Sequence, residues 1–254
     1  MEYNNLWYFW DGPALPPVCS LGIKSLVYHA TGLRVFHLNC QNIKDYLPQM
    51  SDDWMKLKKW AHRVDYLRPR ILYKYGGIFV DVDVVCLEDL SILLEEIDKS
   101  DTTLMADELR PRQGPARVLA VGLIVAKPNS PMLAKYADAQ DSFLRKNNFQ
   151  VTRWHGIGAN LLNDCRLSGH VYPIKYQRPC CVVDTKKTFL SHEKWTKFVR
   201  KTKGIPKPVV WPTCWSSYLK CPTVSQISEH EWIHGKWMLS SAFRYALRVN
   251  KVFI

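Results

Sequence analysis

The segment from residue 71 to residue 85 constrains the fold of this chain more than any other. It runs Ile-Leu-Tyr-Lys-Tyr-Gly-Gly-Ile-Phe-Val-Asp-Val-Asp-Val-Val, so a helical pattern ends at Gly76 and Gly77 and a short apolar run follows with Asp81 and Asp83. Acidic residues are depleted in strands and costly to bury unpaired, and at this spacing both project from the same side. Mg²⁺ and Mn²⁺ favour carboxylate oxygen and can carry phosphate on their open positions. The pattern therefore predicts a site for a metal ion and a diphosphate, such as that of a nucleotide-sugar.

The N-terminal third predicts an α/β fold. A short apolar run over 6–10 indicates a strand, 18–30 a helix and 33–38 a second strand. Strand, helix and strand in this order favour a sheet with parallel neighbours. In open α/β sheets ligands bind at the carboxyl ends of the strands, which is where Asp81 and Asp83 are expected.

A long helix is predicted before the two glycines, with Ser51 as a possible cap. Apolar residues recur there at steps of three and four, at positions 54, 57, 61, 64, 67, 71 and 75. Pro69 falls inside this pattern, and we expect a kink or a break there. Later patterns predict strands over 102–106 and 119–126, and helices over 131–144 and 242–253.

Size and charge bound the possibilities further. The 254 residues suffice for one large domain, and the net charge of +12 favours phosphorylated partners. No arginine-rich run or RNA-binding signature appears, so we expect no nucleic acid partner. The eight cysteines form no Cys-x-x-Cys pair and suggest reduced thiols. We see neither a signal peptide nor an apolar run that could span a membrane, and expect a soluble, cytoplasmic protein of bacterial or viral type.

Asp65 and Arg68 lie at i, i+3 spacing on the predicted helix. The pair could be a surface ion pair, which would stabilise the fold little. It could instead face the nucleotide-sugar, with Asp65 orienting Arg68 toward phosphate or sugar oxygens.

These residues carry a resemblance to a known family. The pattern closely resembles the glycosyltransferases with a sugar-binding region containing a DXD motif, which are glycosyltransferase family 32 and the related capsular-polysaccharide synthesis enzymes. It runs Asp65-x-x-Arg68-x-x-Ile71-Leu72-Tyr73-x-Tyr75-Gly76-Gly77-Ile78-Phe79-x-Asp81-x-Asp83. The similarity covers roughly residues 1–135, and the last third matches only in fragments.

The resemblance implies a GT-A fold, a Rossmann-like nucleotide-sugar-binding fold with a mixed, mainly parallel central sheet flanked by helices. One domain over 1–254 is implied, with a nucleotide-sugar-binding half over 1–135 and an acceptor-side half over 136–254. It also implies a nucleoside-diphosphate sugar donor, with UDP-sugars ahead of GDP-sugars, a glycan or glycoconjugate acceptor, and Mn²⁺ or Mg²⁺ as cofactor. Retention of the anomeric configuration is implied as well.

Roles follow from the same resemblance. Asp83 would bind the metal, while Asp81 would contact the ribose or sugar and reach the metal through water. The donor-sugar pocket would be lined by Asp65 and Arg68, and the motif residues Tyr73, Gly76 and Gly77 belong to the same substrate-binding set. The first-strand aromatics would lie close to the nucleotide base; they are Trp7, Phe9 and Trp10.

Two later segments add candidates. His230-Glu231-Trp232-Ile233-His234-Gly235-Lys236-Trp237 resembles the late His-x-Trp element of the family, in which a His completes metal or diphosphate binding. That His would be His230 or His234, Lys236 would add positive charge at the departing diphosphate, and Trp237 would belong to the substrate-binding residues. Both histidines could also be ordinary surface residues. His155 and Gly156 resemble the turn before the acceptor-side helix, or form a simple turn.

Asp107 and Glu108 follow a predicted strand and could supply a carboxylate near the acceptor, or belong to a solvated loop. Many family members carry an Asn before Gly122, and this chain has Val121 there. Two other classes compete with a glycosyltransferase: a metal-dependent phosphoryl transferase or nuclease, which usually needs three or more clustered carboxylates, and a non-catalytic nucleotide-sugar-binding module.

Overall fold

The computed structural model describes residues 3–12, 14–98, 104–109, 117–154, 156–164, 170–172, 210–212, 227–235 and 238–248. The chain divides into two compact units, each drawn from several segments. The first unit comprises residues 1–11, 32–81 and 91–172, and the second comprises 12–31, 82–90 and 173–254. These boundaries differ from the predicted halves that meet at residue 135, and the single-domain organisation stays a prediction.

The strands confirm an α/β fold with a mixed, mainly parallel sheet. In chain order they are β1 Asn5–Phe9, β2 Arg34–Leu38, β3 Gly77–Val80, β4 Val84–Cys86, β5 Leu104–Leu109, β6 Arg117–Ala126, β7 His170–Tyr172 and β8 Val210–Pro212. Six of these strands form the sheet of the first unit, in the order β2-β1-β3-β6-β5-β7. The pairs β1–β2, β1–β3 and β5–β7 are parallel, while β3–β6 and β5–β6 are antiparallel.

The described residues also form helices in both units. In chain order they are α1 Pro17–Tyr28, α2 Ile43–Tyr46, a 3₁₀ helix Asp52–Lys56, α3 Trp60–Tyr75, α4 Ser91–Asp98, α5 Pro131–Lys146, α6 Ala159–Asp164, α7 Glu229–His234 and α8 Met238–Ala246. None of the helices described here is both long and apolar enough to cross a membrane.

The long helix predicted before the two glycines is interrupted at a different place from the one expected. The Ser51 hydroxyl accepts from the Asp53 N–H and caps the short 3₁₀ helix, and α3 begins separately at Trp60. The break allowed for at Pro69 does not occur, because α3 continues through this residue to Tyr75, and a kink there stays a prediction. A proline lacks the N–H that would bond to the carbonyl four residues earlier. That carbonyl, of Asp65, instead accepts a 2.8 Å hydrogen bond from Gln140 Nε2 of α5.

The two glycines after α3 are required by close backbone packing against β1 and the segment after β6. Gly77 has a φ of 101°, and a Cβ there would lie 2.2 Å from the Asn5 carbonyl oxygen. Gly76 has a φ of 62°, and a Cβ there would lie 2.6 Å from Pro128 Cδ. Any larger residue would be strained in these conformations. The strand β3 can therefore pack closely against β1 only because both positions are glycine.

The second unit has its own small core. Strands β4 and β8 pair antiparallel, and α1, α7 and α8 supply most of the buried side chains, which include Cys19, Leu21, Trp232, Phe243 and Ala246. The Ser25 hydroxyl of α1 accepts a 2.8 Å hydrogen bond from the Cys86 N–H. The His29 ring lies 2.9 Å from the Ala246 carbonyl, so α1 and α8 are also joined by a polar contact.

Candidate functional site

Asp81 lies directly after β3, at the carboxyl end of that strand. Its backbone N–H donates to the Gly122 carbonyl at 2.9 Å, which fixes the residue against β6. Its side chain is 35% exposed, and its Oδ1 accepts a hydrogen bond from Arg68 Nη2. Burial raises the pKa of Asp81, and the Arg68 guanidinium opposes this rise. The carboxylate is thus held by one oxygen, and the side chain keeps a partly open face.

Arg68 reaches this carboxylate from the middle of α3, and its side chain is only 2% exposed. Nη1 donates to the Val121 carbonyl and, at 3.4 Å, to Asp65 Oδ1. The guanidinium carbon also lies 5.2 Å from the centre of the Phe79 ring. Since both Asp65 and Arg68 are buried, the alternative of a surface ion pair is wrong.

Asp65 is the second carboxylate on this guanidinium, and its environment is the more enclosed of the two. Burial raises its pKa to about 7, Arg68 opposes the rise, and the charge of Asp81 adds to it. Gly158 closes over this side chain, because a Cβ there would lie 2.3 Å from Asp65 Oδ2. We refer to Asp65, Arg68 and Asp81 together as the carboxylate–arginine network.

A residue outside the sequence motif fastens this network to α5. Gln140 is fully buried, and its Nε2 donates to the carbonyls of Asp65 and Ile157 at 2.8 and 2.9 Å. Tyr136 Oη donates to the same Ile157 carbonyl at 2.8 Å. Gln140 was not predicted from the sequence, although a signal was present: it is the polar member of the apolar stripe 133, 136, 140 and 144.

The predicted turn before α6 is present. The Gly156 N–H donates to the Arg153 carbonyl at 3.0 Å, and α6 begins at Ala159. His62 of α3 holds the start of this turn, because its Nε2 lies 3.1 and 2.9 Å from the carbonyls of Arg153 and Trp154. His155 lies outside the described residues, and acceptor binding by this turn stays a prediction.

The aromatic side chains of the first strand and the residue after it are buried or half-buried. Trp7 is 1% exposed and Phe9 5% exposed, so both belong to the core of the first unit. The Trp7 indole donates to the Gly76 carbonyl at 2.9 Å and stacks on Phe36 with ring centres 4.3 Å apart. Trp10 is half-buried, and its carbonyl lies 2.8 Å from the His37 ring nitrogen. A contact of these rings with a nucleotide base stays a prediction.

Tyr73 lies apart from the carboxylate–arginine network. Positions 68 and 73 are separated by roughly 140° around an α-helix. The Tyr73 side chain is exposed and lines a separate cavity, which is described below. Gly76 and Gly77 serve the packing of β3 against its neighbours.

The remaining candidates are placed only in part. The expectation that Asp107 and Glu108 follow a strand is wrong, since both lie within β5, paired with Leu119 and Val118 of β6. Nothing further is described of their side chains, and Lys236 and Trp237 lie outside the described residues. His230 and His234 are successive-turn neighbours on α7, with ring centres 4.5 Å apart.

The described carboxylates can be related to the ligands that a divalent cation needs. Within the described part of the chain, no three His, Cys, Asp or Glu side chains converge as a metal cluster. Mg²⁺, however, is usually bound through one or two carboxylates together with waters and substrate phosphates. Asp81 presents a partly exposed carboxylate, and Asp83 follows two residues later with a half-buried side chain. A partly exposed carboxylate such as that of Asp81 fits a cation that a diphosphate and waters help to hold, and metal binding by Asp81 or Asp83 stays a prediction.

Comparison with known proteins confirms the resemblance. Residues 16–104 match the family model described as the glycosyltransferase sugar-binding region containing DXD motif. The chain is 26% identical over 247 residues to the probable glycosyltransferase FCK3 of Fusarium pseudograminearum, a match that covers 77% of this chain. It spans only 58% of the length of that relative.

Solved structures confirm the GT-A fold. The glycosyltransferase GlyE of Streptococcus pneumoniae superposes with a TM-score of 0.55 at 14% identity, covering 96% of this chain and 60% of that one. The galactosyltransferase LgtC, solved with donor and acceptor sugar analogues, gives a TM-score of 0.50 at 12% identity and covers 98% of this chain and 97% of that one.

Proposed function

We propose that this chain is a metal-dependent glycosyltransferase that moves a sugar from a nucleoside-diphosphate donor to a glycan hydroxyl. The observation that carries the proposal is the carboxylate–arginine network at the carboxyl end of β3, within a chain that matches a DXD glycosyltransferase region. UDP-sugars are the first donor to test and GDP-sugars the second. We expect retention of the anomeric configuration.

Asp83 would hold Mn²⁺ or Mg²⁺, and Asp81 would contact the ribose or the donor sugar. Bound there, the cation would neutralise the charge that builds on the departing diphosphate. His230 or His234 is the proposed further ligand.

The chain's own contribution is to fix Asp81. Arg68 engages Oδ1 of this carboxylate and is itself held by Asp65 and by the Val121 carbonyl. Two carboxylates share one guanidinium, so the ionised network carries one net negative charge, which favours a cation nearby. A carboxylate held in place in this way has less rotamer freedom to lose when a ligand arrives.

A reaction that retains the anomeric configuration would not need a strong base from the protein. The acceptor hydroxyl would form its bond to the anomeric carbon on the face from which the diphosphate departs, and its proton would pass to the diphosphate oxygen. This chemistry needs no dedicated carboxylate near the acceptor, so Asp107 and Glu108 are proposed only as acceptor-side residues.

A matched pair of variants tests the proposal. Asp83→Ala should lose Mn²⁺-dependent sugar transfer, while Asp52→Ala, which removes a carboxylate that is 79% exposed and pairs with Lys44, should keep it. The donor is found first by measuring the melting temperature with UDP-, GDP- and dTDP-sugars, each with and without Mn²⁺. Full Mn²⁺-dependent transfer by Asp83→Ala would contradict the proposal.

Calorimetry with the same donor separates an enzyme from a binding module. We expect heat of binding followed by slow heat of donor hydrolysis in the presence of Mn²⁺. Tight donor binding with neither hydrolysis nor transfer to any glycan acceptor would favour the module and overturn the proposed activity.

A further inference from the structure

The first unit contains a cavity that the proposed reaction does not use. It has a volume of about 890 Å³ and lies between the second half of α3, α5 and the segment 47–51. Pockets for small ligands commonly have volumes of roughly 300–1,000 Å³. We refer to it as the α3–α5 cavity. Neither Arg68 nor Asp81 lines it.

The charges around the α3–α5 cavity balance. Three acidic and three basic side chains line it: Asp53, Asp138, Asp141, Arg70, Lys74 and Arg145. A lining of this kind has no net charge to recruit an anion such as a phosphate or a nucleotide.

The most buried basic side chain of the cavity, Arg70, already has hydrogen-bond partners within the protein. Arg70 Nη2 donates to Asp141 Oδ1 at 2.6 Å, and Nη1 donates to Gln140 Oε1 at 2.7 Å. Asp141 Oδ1 accepts a second hydrogen bond, of 3.0 Å, from Tyr66 Oη. Lys74 donates to the Tyr46 carbonyl at 2.6 Å. These groups therefore form a fixed polar wall and do not supply a free charge for a ligand.

The rest of the lining combines aromatic faces with uncharged polar groups. Tyr73 is 39% exposed, and Phe149 is half-buried on the same cavity. Gln49, Ser51 and Asn129 add amide and hydroxyl groups, which both donate and accept hydrogen bonds. Aromatic rings offer a large flat apolar surface, and the ring of Tyr73 also carries a hydroxyl group.

This combination suits one chemical class. Sugars carry hydroxyls that donate and accept along their edges and C–H groups that pack on flat aromatic faces, and a neutral sugar is not repelled by either sign of charge. We infer that the α3–α5 cavity is a binding site for a neutral oligosaccharide, separate from the site of transfer. This inference does not depend on whether the chain transfers a sugar.

Ligand-observed NMR tests the inference on the whole chain. The probes are lactose, maltose, cellobiose, mannobiose and N,N′-diacetylchitobiose, each titrated to about 10 mM, the range of weak ligands. At least one should show saturation transfer that Tyr73→Ala weakens at least fivefold. Tyr28→Ala, which removes a comparably exposed tyrosine from α1, should leave binding unchanged. Melting temperatures verify that both variants fold.

Three results would overturn the inference. They are the absence of binding by every disaccharide, equal binding by the Tyr73 and Tyr28 variants, and displacement of the bound disaccharide by 10 mM inorganic phosphate. Asp83→Ala should bind the disaccharide as the wild type does. If that variant loses disaccharide binding together with transfer, the sugar occupies the transfer site, so the inference fails while the proposed function stands.

Discussion

Replacing Asp65 by Asn should remove a loss of stability that the wild-type protein shows as the pH rises. The folded chain raises the pKa of Asp65 from its usual 3.8 to about 7, chiefly by burial. A carboxyl whose pKa is higher in the folded state holds its proton there after the unfolded chain has released it. Stability therefore falls as the pH rises from about 4 to about 7. The Asn variant has no proton to lose, and this part of the pH dependence disappears.

The size of the effect follows from the two pKa values. One unit of pKa shift corresponds to about 1.4 kcal/mol. With 3.8 in the unfolded chain and about 7 in the folded one, linkage predicts that the stability of Asp65→Asn relative to wild type rises by about 3 kcal/mol between pH 5 and pH 8.5. The quantity to compare is how the stability difference between Asp65→Asn and wild type changes with pH. Any effect of the substitution that does not depend on pH cancels from this change.

Urea denaturation followed by tryptophan fluorescence, repeated at several pH values, measures this difference. Asp53→Asn is the control, because the Lys56 and Ser51 side chains lower the pKa of Asp53. Stability from a lowered carboxyl pKa is lost as the pH falls, so that variant should show a small trend confined to acidic pH. A flat difference for Asp65→Asn across pH 5–8.5 would refute the view that Asp65 is desolvated beside Arg68.

Two further predictions concern backbone packing and buried thiols. Gly77→Ala should lower the free energy of unfolding by at least about 3 kcal/mol, since its Cβ would lie 2.2 Å from the Asn5 carbonyl oxygen. Gly32→Ala is the control, because Gly32 has a φ of 69° but no atom near the position of a Cβ, and it should cost roughly 1–2 kcal/mol. Equal losses in urea denaturation would contradict this. Iodoacetamide at pH 8 should leave Cys19 and Cys86 of the native protein unmodified, because both are fully buried and burial raises their thiol pKa values. Peptide mass spectrometry that found them labelled equally fast in native and urea-unfolded protein would contradict the burial.

The sequence predicts the elements around the site well where the signals are local. The apolar runs and the glycine pair are enough to indicate β1, β2 and β3 and to place Asp81 after β3. Gln140 and Gly158 could not be placed beside Asp65, because their contacts with it span 75 and 93 positions along the chain and depend on how α5 and α6 pack. The burial of Trp7 agrees with the apolar run over 6–10, but an apolar residue in a strand gives no indication of which neighbour covers it, so its stacking on Phe36 could not be predicted.

Pro69 lies inside α3, although a proline is expected to interrupt a helix. A hydrogen bond from another helix offers a reason that can be tested directly. Without a proline N–H, the buried Asp65 carbonyl depends on Gln140 Nε2. Gln140→Leu should therefore cost about 1–3 kcal/mol for an unsatisfied buried acceptor. Pro69→Ala restores the missing helical donor, so the double variant should recover about 1 kcal/mol relative to the sum of the single changes. The loss of the Arg70 contact with Gln140 occurs with and without Pro69 and cancels from the cycle. Strict additivity in urea denaturation would show that the helix tolerates Pro69 for some other reason.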